Sequence, residues 1–281
     1  MLYCNRQSDR EGSFMEVYNL FYGAVYLFTG LWTGSFLNVC VWRFPRRLSP
    51  IKGRSSCPRC GHALSPGDLV PVFSWLFLRG RCRYCHRPIS RRYPLTEALT
   101  GLVFLLCFYV FGAGFQSVPA CLFASALIAA AWIDWDFTYI PDGISLFILL
   151  AGLISFIPLP ACGLLTRFSW GSLGDHVVAA VLIGSALFIV SRLTGGGIGG
   201  GDIKLLAAAG FYLGLPRGLL AMLGGYILAA VWVAPALLRG KIHRRSSIPM
   251  APFFAVSLIL SLLWGEQLLI WYLNLVFCRG V

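Results

Sequence analysis

The sequence predicts an all-α polytopic membrane protein with about eight transmembrane helices and a small cytoplasmic loop. Of its 281 residues, 58% are hydrophobic and only 12% are charged, whereas about a quarter of the residues in a soluble domain carry a charge. Apolar stretches long enough to cross a bilayer recur along most of the chain. In addition, 12 of the 23 Lys and Arg residues lie between Arg43 and Arg92, in one polar segment.

The apolar stretches define the predicted spans. These spans cover residues 18–42, 95–112, 117–133, 143–160, 173–193, 203–215, 217–238 and 249–274. The first is too long for the apolar region of a cleaved signal peptide and runs into "RFPRR", so we expect it to stay in the protein. The sixth gives about 20 Å of helix, less than the hydrocarbon core of about 30 Å. We therefore expect its N-terminus to begin below the membrane surface, in a cavity lined by protein.

Charge predicts the orientation and the division of the chain. Cytoplasmic loops carry an excess of Lys and Arg, which places the basic loop in the cytoplasm and both termini outside. A basic segment can also bind nucleic acid, but beside membrane spans topology is the commoner cause, so we expect a bilayer and no nucleic acid as partner. Three parts follow: 1–42 with the first span, the cytoplasmic loop 43–94, and the transmembrane domain 95–281, which carries the candidate catalytic residues.

The basic loop contains two CxxC motifs, "CPRC" and "CRYC", separated by 21 residues. The four cysteines are Cys57, Cys60, Cys82 and Cys85. Four thiolates at this spacing suit a tetrahedral structural Zn²⁺ in a zinc-ribbon-like loop, and a cytoplasmic location disfavours disulfides. A redox pair is the alternative. Two further cysteines, Cys4 and Cys278, both face outside in the predicted topology, and the sequence leaves open whether they pair.

Two acidic residues lie at the ends of apolar segments. Asp134 ends "FASALIAAAWID", and Asp202 follows the six glycines of "GGGIGGGD". An ionisable residue at the edge of a span indicates function, and two carboxylates close together share one proton. One can then activate a water as base while the other protonates the carbonyl oxygen or the leaving amine. This pair predicts peptide hydrolysis, whereas a structural alternative makes Asp202 the N-cap of the following helix.

Glycines also matter to this hypothesis, because they allow a peptide to approach the backbone closely. We therefore expect Gly199, Gly200 and Gly201 to lie beside the substrate. The motif G-x-G-x-x-G is also present in this segment, but it lacks the preceding strand that a dinucleotide site requires.

Other charged and small residues have simpler interpretations. Asp136 is predicted to support the site or to be solvated, and Asp142 lies in a Pro-Asp-Gly turn. Glu97 either favours a helix N-terminus or contacts substrate. Lys204 either binds a carboxylate or a headgroup or, more simply, extends toward the membrane surface. The spacing of "GLWTG" (30–34) is typical of close helix packing.

At this point the chain resembles the type IV prepilin peptidases, a branch of the GxGD aspartic membrane proteases. The motif "GGGD" matches GxGD, and "IDWDFTYIPD" matches the other aspartate segment of that family. The segments that look like this family, in the same order, are "GSFLNVCVWRFP" (34–45), the two CxxC motifs, "SRRYPLTEALTG" (90–101), "GGGDIKLLAAAG" (199–210) and "IPMAPFFA" (248–255). One departure is Gly195-Gly196, where many members have Lys-Glu.

The resemblance implies a bifunctional enzyme of the bacterial inner membrane. Such an enzyme removes the basic leader of prepilins or pseudopilins at the cytoplasmic face and then methylates the new N-terminus with S-adenosylmethionine. It implies Asp134 and Asp202 as the catalytic pair and the four loop cysteines as a metal cluster. Two other classes stay open on the residues alone: a proton- or ion-coupled transporter that uses the same aspartates, and a noncatalytic scaffold. Cleavage in detergent, without a gradient, distinguishes the protease from the transporter, which needs two compartments.

Overall fold

The computed structural model describes residues 2–157, 170–240 and 248–277. Its helices are α1 (Leu2–Arg43), α2 (Phe73–Phe77), α3 (Arg92–Phe111), α4 (Ser117–Phe137), α5 (Asp142–Ser155), α6 (Trp170–Leu193), α7 (Gly200–Leu213), α8 (Leu215–Leu238) and α9 (Ala251–Phe277). In this part of the chain, β-pairing is limited to two isolated antiparallel bridges in the cysteine loop. The predicted all-helical fold is confirmed.

Within the described residues, six helices are long and apolar enough to cross a membrane, namely α1, α3, α4, α6, α8 and α9. The fourth and sixth predicted spans correspond to α5 and α7, which have 14 residues each and are about 21 Å long. The count of eight spans therefore stays a prediction. Helix α7 begins at Gly200 with Gly199 as its N-cap. The alternative that made Asp202 the N-cap is therefore wrong, because this residue lies inside the first turn.

The chain forms two compact units, which we describe separately. One consists of the described parts of Met1–Val39 and Lys52–Ser117, and the other of those of Cys40–Ile51 and Val118–Val281. In the second unit, α7 packs against α5, α6, α8 and α9. Helix α4 is buried on most of its surface because small alanines alternate with large apolar residues. Phe123 of α4 stacks on Tyr212 of α7 with ring centroids 4.2 Å apart.

In the first unit, α1 packs against α3 through two glycines. A Cβ atom added at Gly30 would lie 2.8 Å from the carbonyl oxygen of Thr100, and one at Gly34 would lie 2.7 Å from the Cα of Glu97. These are distances at which backbone must move, so only glycine fits. The predicted role of "GLWTG" in close helix packing is confirmed.

Gly34→Ala should therefore destabilise the first unit, whereas Gly23→Ala should not. A Cβ at Gly23 would meet Leu105 at 3.4 Å, an ordinary contact. Both changes gain helix propensity equally, so their difference isolates the clash, for which we expect a cost of about 1–3 kcal/mol. Thermal unfolding of the two purified variants measures it. Equal midpoints would show that α1 and α3 do not depend on this contact.

Candidate active site and cysteine cluster

Asp134 lies in the last turns of α4 and is only 6% exposed. Its Oδ2 accepts a hydrogen bond of 2.9 Å from the amide of Ala251, the first residue of α9. The first amides of a helix have no partner within it, so this carboxylate stabilises the start of α9. The contact joins residues 117 positions apart, and sequence analysis did not predict it.

Asp202 lies in the first turn of α7, where the helix dipole favours a negative charge. Its side chain folds back toward the N-cap, since a Cβ added at Gly199 would lie 3.1 Å from Asp202 Oδ2. Asp202 also lies close enough to Asp134 for their charges to repel each other. The structure thus brings the two predicted aspartates together from α4 and α7.

Tyr226 of α8 is a neighbour of this pair that sequence analysis missed. It lies within electrostatic range of Asp202, and its ring contacts Phe254 of α9 edge-on at 5.1 Å. The preceding Gly225 lies directly against Phe254, with an added Cβ only 2.3 Å from that ring. The glycine therefore lets α8 approach α9 and sets the position of the tyrosine. A tyrosine in an apolar span carries no signal that distinguishes it from an interface anchor.

The glycine-rich segment has two structural tasks. Gly195 and Gly196 adopt positive φ angles of 66° and 93° and end α6, with the Gly196 amide donating to the carbonyl of Ser191 at 2.7 Å. Such angles are readily adopted by glycine alone. The segment then starts α7 and borders a cavity of about 400 Å³. That cavity is lined by Phe188, Ser191, Arg192, Gly195, Gly196, Gly200 and Ile203.

The three glycines predicted to face substrate differ in their surroundings. A Cβ added at Gly200 would meet no atom within 4 Å, whereas one at Gly201 would lie 3.1 Å from the Cβ of Ile140. Gly199 lies under the Asp202 carboxylate. Only Gly200 therefore offers open space, while a side chain at either of the other two would crowd a neighbouring side chain of the protein.

The remaining charged candidates take different places. Lys204 Nζ forms a 2.7 Å ion pair with Asp142 Oδ1, which links the first turns of α7 and α5. The structure thus gives Lys204 a carboxylate partner, one of the alternatives that the sequence left open. Both side chains are more than half exposed, so the pair adds little stability. Asp136 is exposed, and Glu97 is buried in the other unit.

The four loop cysteines lie together in the first unit. All their Sγ atoms are within 4.8 Å of one another, and those of Cys57 and Cys85 are 4.0 Å apart. Each CxxC turn is closed by a backbone bond of 2.9 Å, from Cys57 to the carbonyl of His62 and from Cys82 to that of Arg87. The two turns thus have the same local geometry, and the cluster can hold a metal ion.

The cysteines differ in their tendency to ionise. Burial raises the pKa of Cys57, but the amides of Arg59 and Cys60 outweigh it and lower the pKa to about 7. The amide of Arg87 favours the Cys85 thiolate, but burial and the other three cysteines raise the pKa of this thiol to about 11. The Cys85 thiol therefore stays protonated at neutral pH by itself, and a bound cation would favour its thiolate.

Asp68 connects the segment between the CxxC turns to the second turn. Its side chain is 4% exposed and accepts hydrogen bonds from Ser65, from Arg83 Nε at 2.8 Å and from the Tyr84 hydroxyl at 3.1 Å. Burial alone would raise the pKa of this carboxyl, but these donors lower the pKa below 3.8. Asp68 therefore stays charged at neutral pH and stabilises the loop.

These features define a polytopic helical membrane protein with two aspartates in electrostatic range of each other in one unit and a four-cysteine cluster in the other. Comparison with known families identifies the family of the chain. Residues 28–111 match the bacterial peptidase A24 N-terminal domain, and residues 121–234 match the type IV leader peptidase family. The chain belongs to the type IV leader peptidase family. The resemblance in the sequence analysis is confirmed.

Curated relatives match over most of the chain. The prepilin leader peptidase/N-methyltransferase of Bacillus subtilis (strain 168) is 37% identical over 250 residues, which cover 88% of this chain and 96% of that protein. The protein of the same name from Aeromonas hydrophila is 35% identical, over 91% of this chain and 94% of its own length. A shorter match, to the protein of the same name from Myxococcus xanthus (strain DK1622), is 47% identical over 137 residues, which cover 48% of this chain and 41% of that protein. No solved structure matches the chain.

Proposed function

We propose that this protein is an aspartic endopeptidase that removes the basic leader of prepilins or pseudopilins at the cytoplasmic face of a bacterial inner membrane. The approach of Asp134 and Asp202, from α4 and α7, is the observation that carries the proposal. The names of the full-length relatives support the substrate class. Nothing in the comparisons supports an ion-coupled transporter.

The proposed chemistry needs only the two carboxylates and water. The ionised carboxylate takes a proton from water, whose oxygen attacks the scissile carbonyl carbon. The protonated carboxylate then gives its proton to the leaving nitrogen as the C–N bond breaks. The hydrogen bond from Ala251 fixes the orientation of Asp134 throughout these steps.

Cleavage in detergent tests this function directly. Purified enzyme and a prepilin are mixed without any gradient, and the new N-terminus of the product is sequenced. Release of the basic leader supports the endopeptidase. If the purified protein does not cut and moves ions only between two compartments, the proposal is wrong.

Gly200 tests the proposed approach of substrate to the glycine segment. Gly200→Ala should leave thermal stability unchanged, because its Cβ meets open space. We expect it to lower kcat/KM by about tenfold, roughly 1.4 kcal/mol of lost transition-state stabilisation, since a methyl group would separate the peptide from the backbone. Kinetics of leader cleavage and a melting curve measure both effects. A variant as active as the unchanged enzyme would remove Gly200 from the substrate path.

We further propose that the cysteine cluster holds a structural Zn²⁺. Zinc–sulfur bonds of about 2.3 Å in a tetrahedron place sulfur atoms about 3.8 Å apart, close to the spacing of these four Sγ atoms. A site closed by four cysteines has no open position for catalysis. Zinc would therefore fold the loop, and a redox role is the alternative.

The division of the chain at residues 42/43 and 94/95 stays a prediction.

N-methylation of the cleaved product is the second proposed activity, and its methyl donor is S-adenosylmethionine. It is supported by the names of the relatives, and transfer of labelled methyl groups to the new N-terminus tests it.

The orientation with both termini outside also stays a proposal. The basic link residues 241–245 and Cys278 lie outside the described part of the chain, so the possible Cys4–Cys278 pair is not described.

A further inference from the structure

An apolar surface interrupts the basic cysteine loop. We name it the apolar ridge, and its residues are Leu69, Val70, Phe73, Leu76 and Phe77. Their exposed fractions run from 40% at Leu69 to 84% at Phe77. Phe73, Leu76 and Phe77 are spaced i, i+3, i+4 in α2 and so share one face of this helix. Contiguous apolar surface of this kind marks an interaction site.

Contacts on the other side of α2 attach it to the cysteine loop. Trp75 packs against Gly80, where an added Cβ would lie 2.8 Å from the indole ring. Trp75 Nε1 also donates to the carbonyl of Ile89 at 3.3 Å. The short helix therefore has a fixed inner face and presents the apolar ridge outward.

A buried carboxylate sets the depth of this element. Glu97 of α3, 8% exposed, accepts a 2.7 Å hydrogen bond from the amide of Val72, the residue before α2. Glu97 lies five residues into the span that begins at Arg92, which is about 7.5 Å along the helix axis. Val72 is therefore level with the second turn of a membrane-spanning helix. If α3 spans a bilayer, this bond holds the start of α2, and with it the apolar ridge, at the level of the membrane surface.

The backbone before α2 is held in an unusual conformation. Val72 has φ 61° and ψ −52°, in a region that β-branched residues rarely occupy. A 2.6 Å bond from the Phe73 amide to the carbonyl of Pro71 closes this tight turn. Such conformations persist only where the surroundings enforce them. Here Glu97 does so, and it thereby directs the start of α2.

Positive charge lies next to the apolar ridge. Arg79 and Arg81 are exposed and directly follow α2, with their amides bonded to the carbonyls of Leu76 and Leu78 at 3.0 Å each. Anionic lipids attract basic residues near the membrane surface. Under the proposed function the substrate leader is itself basic, so charge disfavours it as the occupant of this surface.

We propose that the apolar ridge, with Arg79 and Arg81, is an interfacial anchor that inserts into an anionic lipid leaflet. Phe73, Leu76 and Phe77 enter the boundary between headgroups and acyl chains, as apolar faces of interfacial helices do. The arginines bind lipid phosphates, and Glu97 is the residue that positions the element. The cysteine cluster is then tied to the membrane at a point other than the ends of α1 and α3.

Amide hydrogen exchange of the full-length protein tests this anchor. The unchanged protein is compared in phosphatidylglycerol nanodiscs, in phosphatidylcholine nanodiscs and in detergent. We expect exchange of residues 69–78 to slow by about tenfold in phosphatidylglycerol relative to the other two. Equal exchange in all three, or slowing only after addition of a prepilin, would overturn the proposal. The latter result would make the surface a protein-docking site.

Variants add a matched control. In the Phe77→Ser protein, phosphatidylglycerol should no longer slow the exchange of residues 69–78, whereas in the Ile51→Ser protein it should still do so. The two positions are matched, because both residues are 84% exposed and lie in the same basic loop. Glu97→Ala should also lose the slowing, while Glu97→Gln, which retains an acceptor for the Val72 amide, should restore it. Metal content and melting temperature identify any misfolded variant. Slowing that survives Phe77→Ser in a folded protein would contradict the anchor.

Discussion

Asp202→Asn will abolish leader cleavage in a protein that remains folded. Asn keeps the size of the side chain but cannot carry the proton that the pair shares, so we expect a loss of about 10²–10⁴-fold in kcat. Initial rates of prepilin cleavage in detergent measure this loss of kcat.

Asp142→Asn is the matched control, because Asp142 is an exposed acid paired with Lys204 at the start of α5. Its activity should stay within about twofold of the unchanged enzyme, since exposed ion pairs contribute little.

Two substitutions of Asp134 distinguish its role in catalysis from its role in stabilising the fold. Asp134→Asn should be as inactive as Asp202→Asn, yet its side-chain oxygen can still accept the amide of Ala251. Asp134→Ala leaves that buried amide without its acceptor and should lose about 1–3 kcal/mol of stability besides activity. Melting temperatures of the two variants give the difference. If the Asn variants of both aspartates cut normally, the aspartic mechanism is wrong.

Loss of metal should have the second largest effect. Cys82→Ser removes one buried thiolate of the cluster, and structural zinc contributes about 10–16 kcal/mol to the folding of small domains. We expect zinc content to fall from one per chain toward zero and amides of residues 55–89 to exchange rapidly. A chelator should do the same to the unchanged protein. Elemental analysis and hydrogen exchange provide the two measurements.

Cys107→Ala is the control for this experiment, because Cys107 is a fully buried cysteine of α3 outside the cluster. It should retain zinc and an ordered loop. If the unchanged protein contains no metal, and mass spectrometry finds disulfides among the four cysteines, the redox alternative is correct and the zinc proposal is wrong.

The sequence predicted those parts of the fold that depend on local pattern. Long apolar runs give α1, α3, α4, α6, α8 and α9 because the bilayer requires this length and composition. Two CxxC motifs predict the cysteine cluster because each turn is local. The shorter helices α5 and α7 are different. Composition alone does not show whether a 14-residue apolar helix spans, enters or borders the membrane.

Contacts between residues far apart along the chain could not be predicted from the sequence. The bond from Ala251 to Asp134 and that from Val72 to Glu97 join an acid to a backbone amide, and every non-proline residue offers such an amide. No residue type marks the donor in advance. Lys204 and Asp142 are both charged, but their pairing depends on how α5 packs against α7. The proximity of Tyr226 to Asp202 likewise depends on helix packing, so the sequence alone does not indicate it.

The bond between Asp134 and the start of α9 restricts which residues position 134 can accept. Such a residue must meet two independent demands, a proton-carrying group for hydrolysis and an acceptor for the Ala251 amide. Position 202 lies in the first turn of α7, where the helix dipole favours an acid by only about 0.3–1 kcal/mol, so its structural constraint is weaker. Among folded but inactive descendants of this chain, position 202 should therefore vary more widely than position 134. The two aspartates of one catalytic pair would thus decay at different rates once the activity is no longer selected.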